Sequence, residues 1–249
     1  MLLQQTIETL KQLRLGGMVK ALELQLEMPD SQSLPFEERL GLMVDCQLTW
    51  QSDKRLQTRL RSAQLFERAT IEDFDFKGSR NIERSSLLSL ANCDWLRAHQ
   101  NVLIDGATGV GKSYLACALA QKACREGFTA QYLRCSKLFE DLSIARADGS
   151  YHRRLAEFAR KDLLVLDDFG RTPLTMSERK DLLEIIEDRY DRRSLIITSQ
   201  LPTDNWHDAI VDPTIADALL DRVIHNSHKI SLKGESRRKT KGKQLKLVG

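Results

Sequence analysis

Apolar residues recur at three- and four-residue steps near the start of the chain, as in Leu3, Ile7, Leu10 and again in Met18, Val19, Leu22. That is the period of an amphipathic helix, and it holds from Thr6 to about Arg68. Ser33 and Pro35 mark a helix start before Phe36 to Trp50, and the stretch from Lys54 to Arg68 is basic, with Lys54, Arg55, Arg59, Arg61 and Arg68. The pattern predicts a small all-helical domain over residues 1–69. Between Thr70 and Arg80 the period breaks around Asp73-Phe-Asp-Phe76 and Gly78, which predicts a linker over 70–81. From Asn101 onward, short apolar runs alternate with helical stretches, the texture of βαβ units on a parallel sheet. Five strands are predicted: Asn101 to Asp105, Thr129 to Leu133, Leu163 to Asp167, Ser194 to Thr198, and His228 to Leu232.

The helices between these strands carry their own punctuation. Ser136 to Arg160 is helical in pattern but broken at Asp148-Gly149, which predicts two helices. Thr175 and Glu178 form a capping box, and Pro213-Thr214-Ile-Ala-Asp217 reads as another helix start. The fold class expected over 82–232 is therefore α/β, a five-stranded parallel sheet flanked by helices. No internal repeat is evident.

Composition narrows the class. Hydrophobic residues at 41% and charged residues at 29% are ordinary for a globular protein and exclude a disordered or fibrous chain. No run approaches the roughly 18 apolar residues needed to cross a bilayer, and Met1 to Leu15 lacks the pattern of a signal peptide, so a cytoplasmic protein without a membrane partner is expected. The five cysteines, Cys46, Cys93, Cys117, Cys124 and Cys135, include no Cys-x-x-Cys pair and suggest reduced, buried thiols. Net charge is only +3, but Lys233 to Gly249 carries +6 and leaves the rest at −3. This 233–249 segment is expected as a basic tail, either solvated or meeting an acidic partner or nucleic acid.

The strongest chemical signal follows the first strand. Gly106-Ala107-Thr108-Gly109-Val110-Gly111-Lys112-Ser113, continuing into Tyr114 and an apolar helix, satisfies Gly-x-x-x-x-Gly-Lys-Ser between a strand and a helix. Its glycines let backbone N–H groups turn inward around phosphate oxygens, and the helix N-terminus adds partial positive charge. Lys112 is expected to reach the β and γ phosphates of ATP, and Ser113 to place its hydroxyl on Mg²⁺. A dinucleotide fingerprint does not fit, because Lys112, Ser113 and Tyr114 stand where a third glycine is required.

Leu163-Leu-Val-Leu runs apolar and then ends in Asp167-Asp168. A buried strand ending in carboxylates delivers them to the crevice where an α/β sheet binds ligands. Asp167 is the expected Mg²⁺ ligand, and Asp168 is expected to orient or deprotonate an attacking water. After the fourth strand, Gln200 or Ser199 could hold that water or the γ-phosphate. On the helix Thr214 to His225, Arg222 has no carboxylate three or four residues away, which leaves it free to act as an arginine finger in a neighbouring subunit or to stay solvated.

Taken together, these residues resemble the IstB-type helper ATPases of bacterial insertion sequences, relatives of the DnaC and DnaA branch of AAA+ proteins. The resemblance covers essentially the whole chain. It is carried by Cys93-Asp-Trp-Leu-Arg-Ala-His-Gln-Asn-Val-Leu-Ile104, Gly106 to Ser113, Asp167-Asp-Phe-Gly170, Asp188-Arg-Tyr190, Thr198-Ser-Gln-Leu-Pro202 and Leu220-Asp-Arg-Val-Ile-His-Asn226. It implies a sheet in the order 5-1-4-3-2, a homo-oligomer with ATP at subunit junctions, Asp168 as the catalytic carboxylate, Gln200 or Ser199 as sensor, and Arg222 as the finger. It also implies that the helices between the second and third strands line a DNA channel, which makes Arg134, Lys137, Arg146, Arg153 and Arg154 candidates for phosphate contacts. Duplex DNA and the transposase of the same element are the implied partners. The strand end departs from the usual Asp-Glu pairing, and Lys233 to Gly249 is too short for a C-terminal helical lid. A DnaC-like helicase loader is the nearest alternative. A small-molecule kinase is more distant, and no guanine-reading Asn/Thr-Lys-x-Asp stretch supports a GTPase.

Overall fold

The computed structural model describes residues 2–28, 33–74, 82–234 and 236. The chain divides into two compact units, Met1–Thr58 and Arg59–Gly249. The first is helical: α1 (Leu2–Gln12), α2 (Gly16–Glu27) and most of α3 (Phe36–Ala63). Helices α2 and α3 cross closely, since a Cβ added at Gly17 would lie 2.6 Å from Gln47 Cα. Gln47 Oε1 accepts from the backbone N–H groups of Gly17 at 2.8 Å and Met18 at 3.1 Å, which satisfies two of the donors that a helix start leaves open.

The second unit opens with the last turn of α3. Arg59 Nε donates to Cys124 O at 2.8 Å, Tyr114 Oη donates to Thr70 O at 3.4 Å, and Arg125 pairs with Glu72 at 2.7 Å. Residues 59–74 thus pack with this unit. Of the linker expected over 70–81, residues 75–81 lie outside the described residues, as does all of the basic tail except Lys233, Gly234 and Ser236.

Next come α4 (Arg84–Ala91), α5 (Asp94–Arg97), β1 (Asn101–Gly106), α6 (Lys112–Arg125), β2 (Ala130–Arg134), α7 (Cys135–Ala147) and α8 (Tyr151–Ala159). They are followed by β3 (Leu163–Phe169), α9 (Met176–Arg189), β4 (Ser194–Ser199), α10 (Trp206–Ile210), α11 (Pro213–Ile224) and β5 (Ser227–Leu232). The strands form one parallel sheet in the order β2-β3-β4-β1-β5, the expected order read from its other edge. Leu163, Leu164, Val165 and Leu166 are all fully buried, because helices cover both faces of a parallel sheet and its central strands read as unbroken apolar runs.

The two expected helices between β2 and β3 are α7 and α8, separated by Gly149 in a left-handed conformation (φ 77°). The capping box at Thr175 and Glu178 is present. The start of α11 differs from expectation by one turn position: Asp212 is the cap, accepting from Ile215 N at 3.1 Å, with Pro213 as the first helical residue. Proline there loses no bond, since that N–H would have had no partner.

One buried cation ties the far end of the sheet. Arg189, at the end of α9, is 1% exposed. It donates to Phe158 O at 2.6 Å, Lys161 O at 2.9 Å, Asp162 O at 3.3 Å and Ser194 O at 2.6 Å. Burial pulls its pKa down to about 9, which still leaves it charged at neutral pH. It therefore joins the end of α8 to the starts of β3 and β4. Arg189→Met is expected to leave these carbonyls without donors and to cost on the order of 3 kcal/mol or more in urea denaturation. Arg189→Lys should recover part of that loss; a Met variant as stable as wild type would contradict this role.

Candidate functional site

The loop between β1 and α6 turns on residues that need unusual backbone. Gly106 has φ 143°, and a Cβ there would stand 2.3 Å from Leu232 O on β5. Gly111, the residue before α6, has φ 107°. Glycine adopts both conformations without steric cost. The first residue of α6 is Lys112, only 6% exposed, whose Nζ donates to Gly106 O at 2.7 Å and Ala107 O at 2.9 Å. Its ammonium is thus held over the loop it is expected to serve. Thr108, Gly109, Gly111, Lys112, Ser113 and Tyr114 line a cavity of about 450 Å³, while Val110 is buried beneath it. That volume lies in the usual range for small-molecule sites.

Across the cavity the end of β3 carries the acidic pair. Ser113 Oγ lies 3.0 and 2.9 Å from the two carboxylate oxygens of Asp167. Tyr132 Oη donates to Asp167 Oδ2 at 2.5 Å, and Thr198 Oγ1 donates to Oδ1. Asp167 is 1% exposed and, among the described residues, has no ion pair. A buried carboxylate hydrogen-bonded only by neutral hydroxyls is costly to desolvate without a nearby cation. A divalent ion between Ser113 and Asp167 fits that donor set, in keeping with the habit of Mg²⁺ of binding through one or two protein oxygens plus phosphate. No cluster of three or more His, Cys, Asp or Glu side chains placed to hold a metal exists among the described residues.

Asp168 reaches the same cavity through a break in strand geometry. Leu166 pairs with Ile197 and Phe169 with Ser199, so two residues of β3 face the single residue Thr198 of β4. This is a β-bulge, and Asp168 within it has φ 60°. In a regular strand the two carboxylates would point to opposite faces; the bulge brings both to the cavity wall. Thr198 locks it, donating to Asp167 and accepting from Asp168 N at 3.1 Å. Such strain is tolerated by aspartate better than by most residues, and it collects at functional sites.

The remaining candidates separate. Gln200 lines the cavity, with Oε1 accepting from Thr108 Oγ1 at 2.8 Å. Ser199 does not: it is fully buried, donates to Phe169 O at 2.8 Å and accepts from Leu201 N at 3.0 Å, so its hydroxyl is spent on the strand end. Arg222 is absent from the cavity lining. Its expected lack of a carboxylate partner is corrected: Nη2 lies 3.2 Å from Glu187 Oε1 on α9, a neighbour in space that helical spacing along α11 could not reveal. Its Nη1 donates to Ala218 O at 2.8 Å.

The five proposed DNA contacts do not form one free patch. Arg146 is committed to buried Asp181 and lies over the Tyr151 ring, bracing α7 against α8 and α9. Arg134 lines the nucleotide cavity with its guanidinium 4.1 Å from the Phe66 ring. Lys137 pairs with Glu140 and Asp141, and Arg154 with Glu157, all at the surface. Arg153 is exposed.

Sequence reasoning missed Tyr132, Thr198 and Phe66. Only Thr198 left a signal, as the last residue of an apolar strand next to the strand that carries the acids. The expected thiol state is matched in geometry: Cys93, Cys117, Cys124 and Cys135 are buried and all five cysteines are free. Burial pushes the Cys93 and Cys117 thiols up to about 11. No described helix is long and apolar enough to cross a membrane.

Comparison with known proteins places this geometry in a lineage. The profile of a family described as IstB-like ATP binding protein matches residues 8–245. The chain is 46% identical over 239 residues to the putative insertion sequence ATP-binding protein y4pL of Sinorhizobium fredii (strain NBRC 101917 / NGR234), covering 96% of this chain and 98% of that one. It is 48% identical over 204 residues to the insertion sequence IS1162 putative ATP-binding protein of Pseudomonas fluorescens, covering 82% and 88%. Among solved structures, DnaI matches with a TM-score of 0.59 at 19% identity, over 67% of this chain and 92% of that chain. The DnaC helicase loader matches with a TM-score of 0.56 at 18% identity, over 69% and 100%. These two establish the fold, a parallel AAA+ sheet with flanking helices. With a loop built for phosphate and relatives of this similarity, the chain belongs to the IstB-like ATP binding proteins of insertion sequences.

Proposed function

We propose that this chain is an ATP-dependent, DNA-binding transposition helper that oligomerises on duplex DNA, recruits or activates the transposase of its element, and hydrolyses ATP at subunit interfaces as the switch. The observation that carries the reading is the Ser113–Asp167 contact with Asp168 turned to the same cavity by the bulge. That arrangement can hold Mg-ATP and aim a water, yet Arg222 of the same chain does not line it. A site that lacks its own finger is complete only when a second subunit supplies one. The names of the relatives, all drawn from insertion sequences, favour a transposition role over helicase loading.

In this reading the backbone amides of residues 106–113 bind the phosphate chain and the α6 N-terminus adds its dipole. Lys112 rotates from its two loop carbonyls to the β and γ phosphates. Ser113 and Asp167 would hold Mg²⁺, which would supply charge neutralisation to the triphosphate. Asp168 accepts a hydrogen bond from the attacking water and orients it. Gln200, released from Thr108, holds the water or the γ-phosphate. Arg222 enters from the adjoining subunit after giving up Glu187, an exchange of a surface ion pair worth at most about 1 kcal/mol for a doubly charged phosphate oxygen set. On α7 and α8, Lys137, Arg153 and Arg154 are the cations left to meet DNA phosphates, since exposed pairs with glutamate are also weak.

The decisive experiment is co-assembly. Wild-type protein with Mg-ATP and duplex DNA should elute as a larger particle than protein alone, and Lys112→Ala should not; no ATP-dependent particle would overturn the reading. A particle that forms but engages the host helicase and not the transposase in pull-downs would indicate a loader instead. In trans action, Asp168→Asn should bind ATP yet lose hydrolysis by roughly 10²–10⁴-fold, and Arg222→Ala should be similarly inactive. Mixing the two variants should restore turnover, because one junction then holds intact Asp168 opposite intact Arg222; no recovery would place the arginine elsewhere. Arg153→Glu with Arg154→Glu should weaken DNA binding and flatten its dependence on salt, leaving ATP affinity unchanged.

A further inference from the structure

The most organised cation around the cavity, after Lys112, is one that no part of the ATP reading has used. We infer that Arg134 is a contact to the terminal phosphate within its own subunit, the residue by which the site tells ATP from ADP. The inference rests on the ATP reading of this cavity and adds a residue to it.

Three observations carry it. First, register: Arg134 ends β2 directly opposite Asp167 on β3, so its Cα stands about one strand spacing, ~5 Å, from that of the metal-binding carboxylate. Lys112 approaches the phosphates from the loop after β1, two strands away on the other side of β3. In the sheet Arg134 therefore lies on the opposite side of Asp167 from the loop, and in the ATP reading this is where the terminal phosphate would stand.

Second, seating: the Arg134 guanidinium sits 4.1 Å over the Phe66 ring. Phe66 in turn stacks on Tyr132, centroids 6.1 Å apart at 14°, and Tyr132 donates to Asp167. A continuous stack thus links the guanidinium to the carboxylate that holds the metal. Arg134 is also hydrogen-bonded to Tyr132, and an arginine laid on an aromatic face and tethered in this way loses little rotamer entropy on binding an anion.

Third, charge: among the described residues Arg134 has no ion pair, whereas Arg146, Arg154, Lys137 and Arg222 each have a carboxylate. Arg68 and Arg171 also line the cavity, but neither is seated on a ring among the described residues. A seated guanidinium without an ion pair, on the wall of a triphosphate site, is suited to bind phosphate. In the ATP reading a diphosphate, which ends one group earlier, lacks the group that this guanidinium would meet.

The test is differential binding by isothermal titration, with Mg-ADP and a non-hydrolysable Mg-ATP analogue, on the full chain. Arg134→Gln should lose about tenfold in affinity for the triphosphate analogue, a change of about 1.4 kcal/mol, and stay within about twofold for ADP. Arg134→Lys should recover part of the difference, and Phe66→Leu, which keeps the arginine but removes its seat, should lose in the same direction by less. Parallel losses for both nucleotides, or none, would overturn the proposal, as would a variant whose only defect is in DNA binding. Wild-type protein that binds neither nucleotide would instead defeat the ATP reading itself. Because Arg134 is exposed and ends a strand, its Gln variant should melt as wild type does, which separates recognition from folding.

Discussion

The structure turns on one buried carboxylate. Asp167 is the only point in the site where α6, β2, β3 and β4 meet through side chains: Ser113 comes from α6, Tyr132 from β2 and Thr198 from β4. Each donor is neutral, so the hydrogen bonds fix where the carboxylate lies without cancelling its charge. That combination suits an ion site better than a structural ion pair. A partner arginine would have bound Asp167 more strongly and left nothing for a metal to neutralise. Desolvation also explains why the hydroxyls are needed, because a buried carboxylate with no donors costs several kcal/mol. The same contacts push the Tyr132 phenol well above its ordinary range, burial first and then the adjacent Asp167, so it remains a donor at any pH the protein meets.

From that anchor the geometry of the acidic pair follows by backbone. Asp168 is a shorter side chain than the glutamate usual at this place in the wider superfamily the sequence resembles, and a regular strand would have aimed it away. The bulge opposite Thr198 supplies what the side chain lacks, by rotating the backbone at φ 60° until the carboxylate faces the cavity. Thr198 therefore acts twice, holding the metal carboxylate with its proton and the bulge with its lone pair. Its replacement by valine would preserve shape and β-propensity while removing both.

Most of this fold was legible in the sequence because its signals are local. The P-loop, the unbroken apolar run before Asp167, the Gly149 break and the Thr175–Glu178 box each depend on residues a few positions apart, so the period of the chain reports them directly. What escaped are interactions between residues far apart in sequence. Glu187 finds Arg222 across two helices, Tyr132 reaches Asp167 across neighbouring strands, and Arg189 gathers carbonyls from three separate segments. Ser199 and Gln200 were indistinguishable as sensors from composition alone. Strand alternation separates them: one turns into the core to tie Phe169, the other out to the cavity. The bulge was equally invisible, since two consecutive aspartates look the same whether or not the partner strand is one residue short.

The fate of the arginines shows why a count of basic residues is a poor guide to nucleic-acid contact. Near the end of α7, Arg146 looks like any solvated helix cation, yet it faces Asp181, which is buried on α9 and could not remain so without a counter-charge. Immediately before that helix, Arg134 is exposed in area but fixed in place by an aromatic ring. Exposure therefore does not measure availability; the partner does. A cation opposite a buried acid is held by the cost of stranding that acid, typically several kcal/mol. One opposite a surface glutamate is held by less than about 1 kcal/mol and can be exchanged for a phosphate. By that criterion Lys137, Arg154 and Arg222 can leave their glutamates for another anion, Arg153 is exposed, and Arg146 belongs to the fold. The helices that follow β2 thus divide their positive charge between cations that hold the fold together and cations that can exchange partners, and the division is set by burial of the acidic partner rather than by position in the sequence.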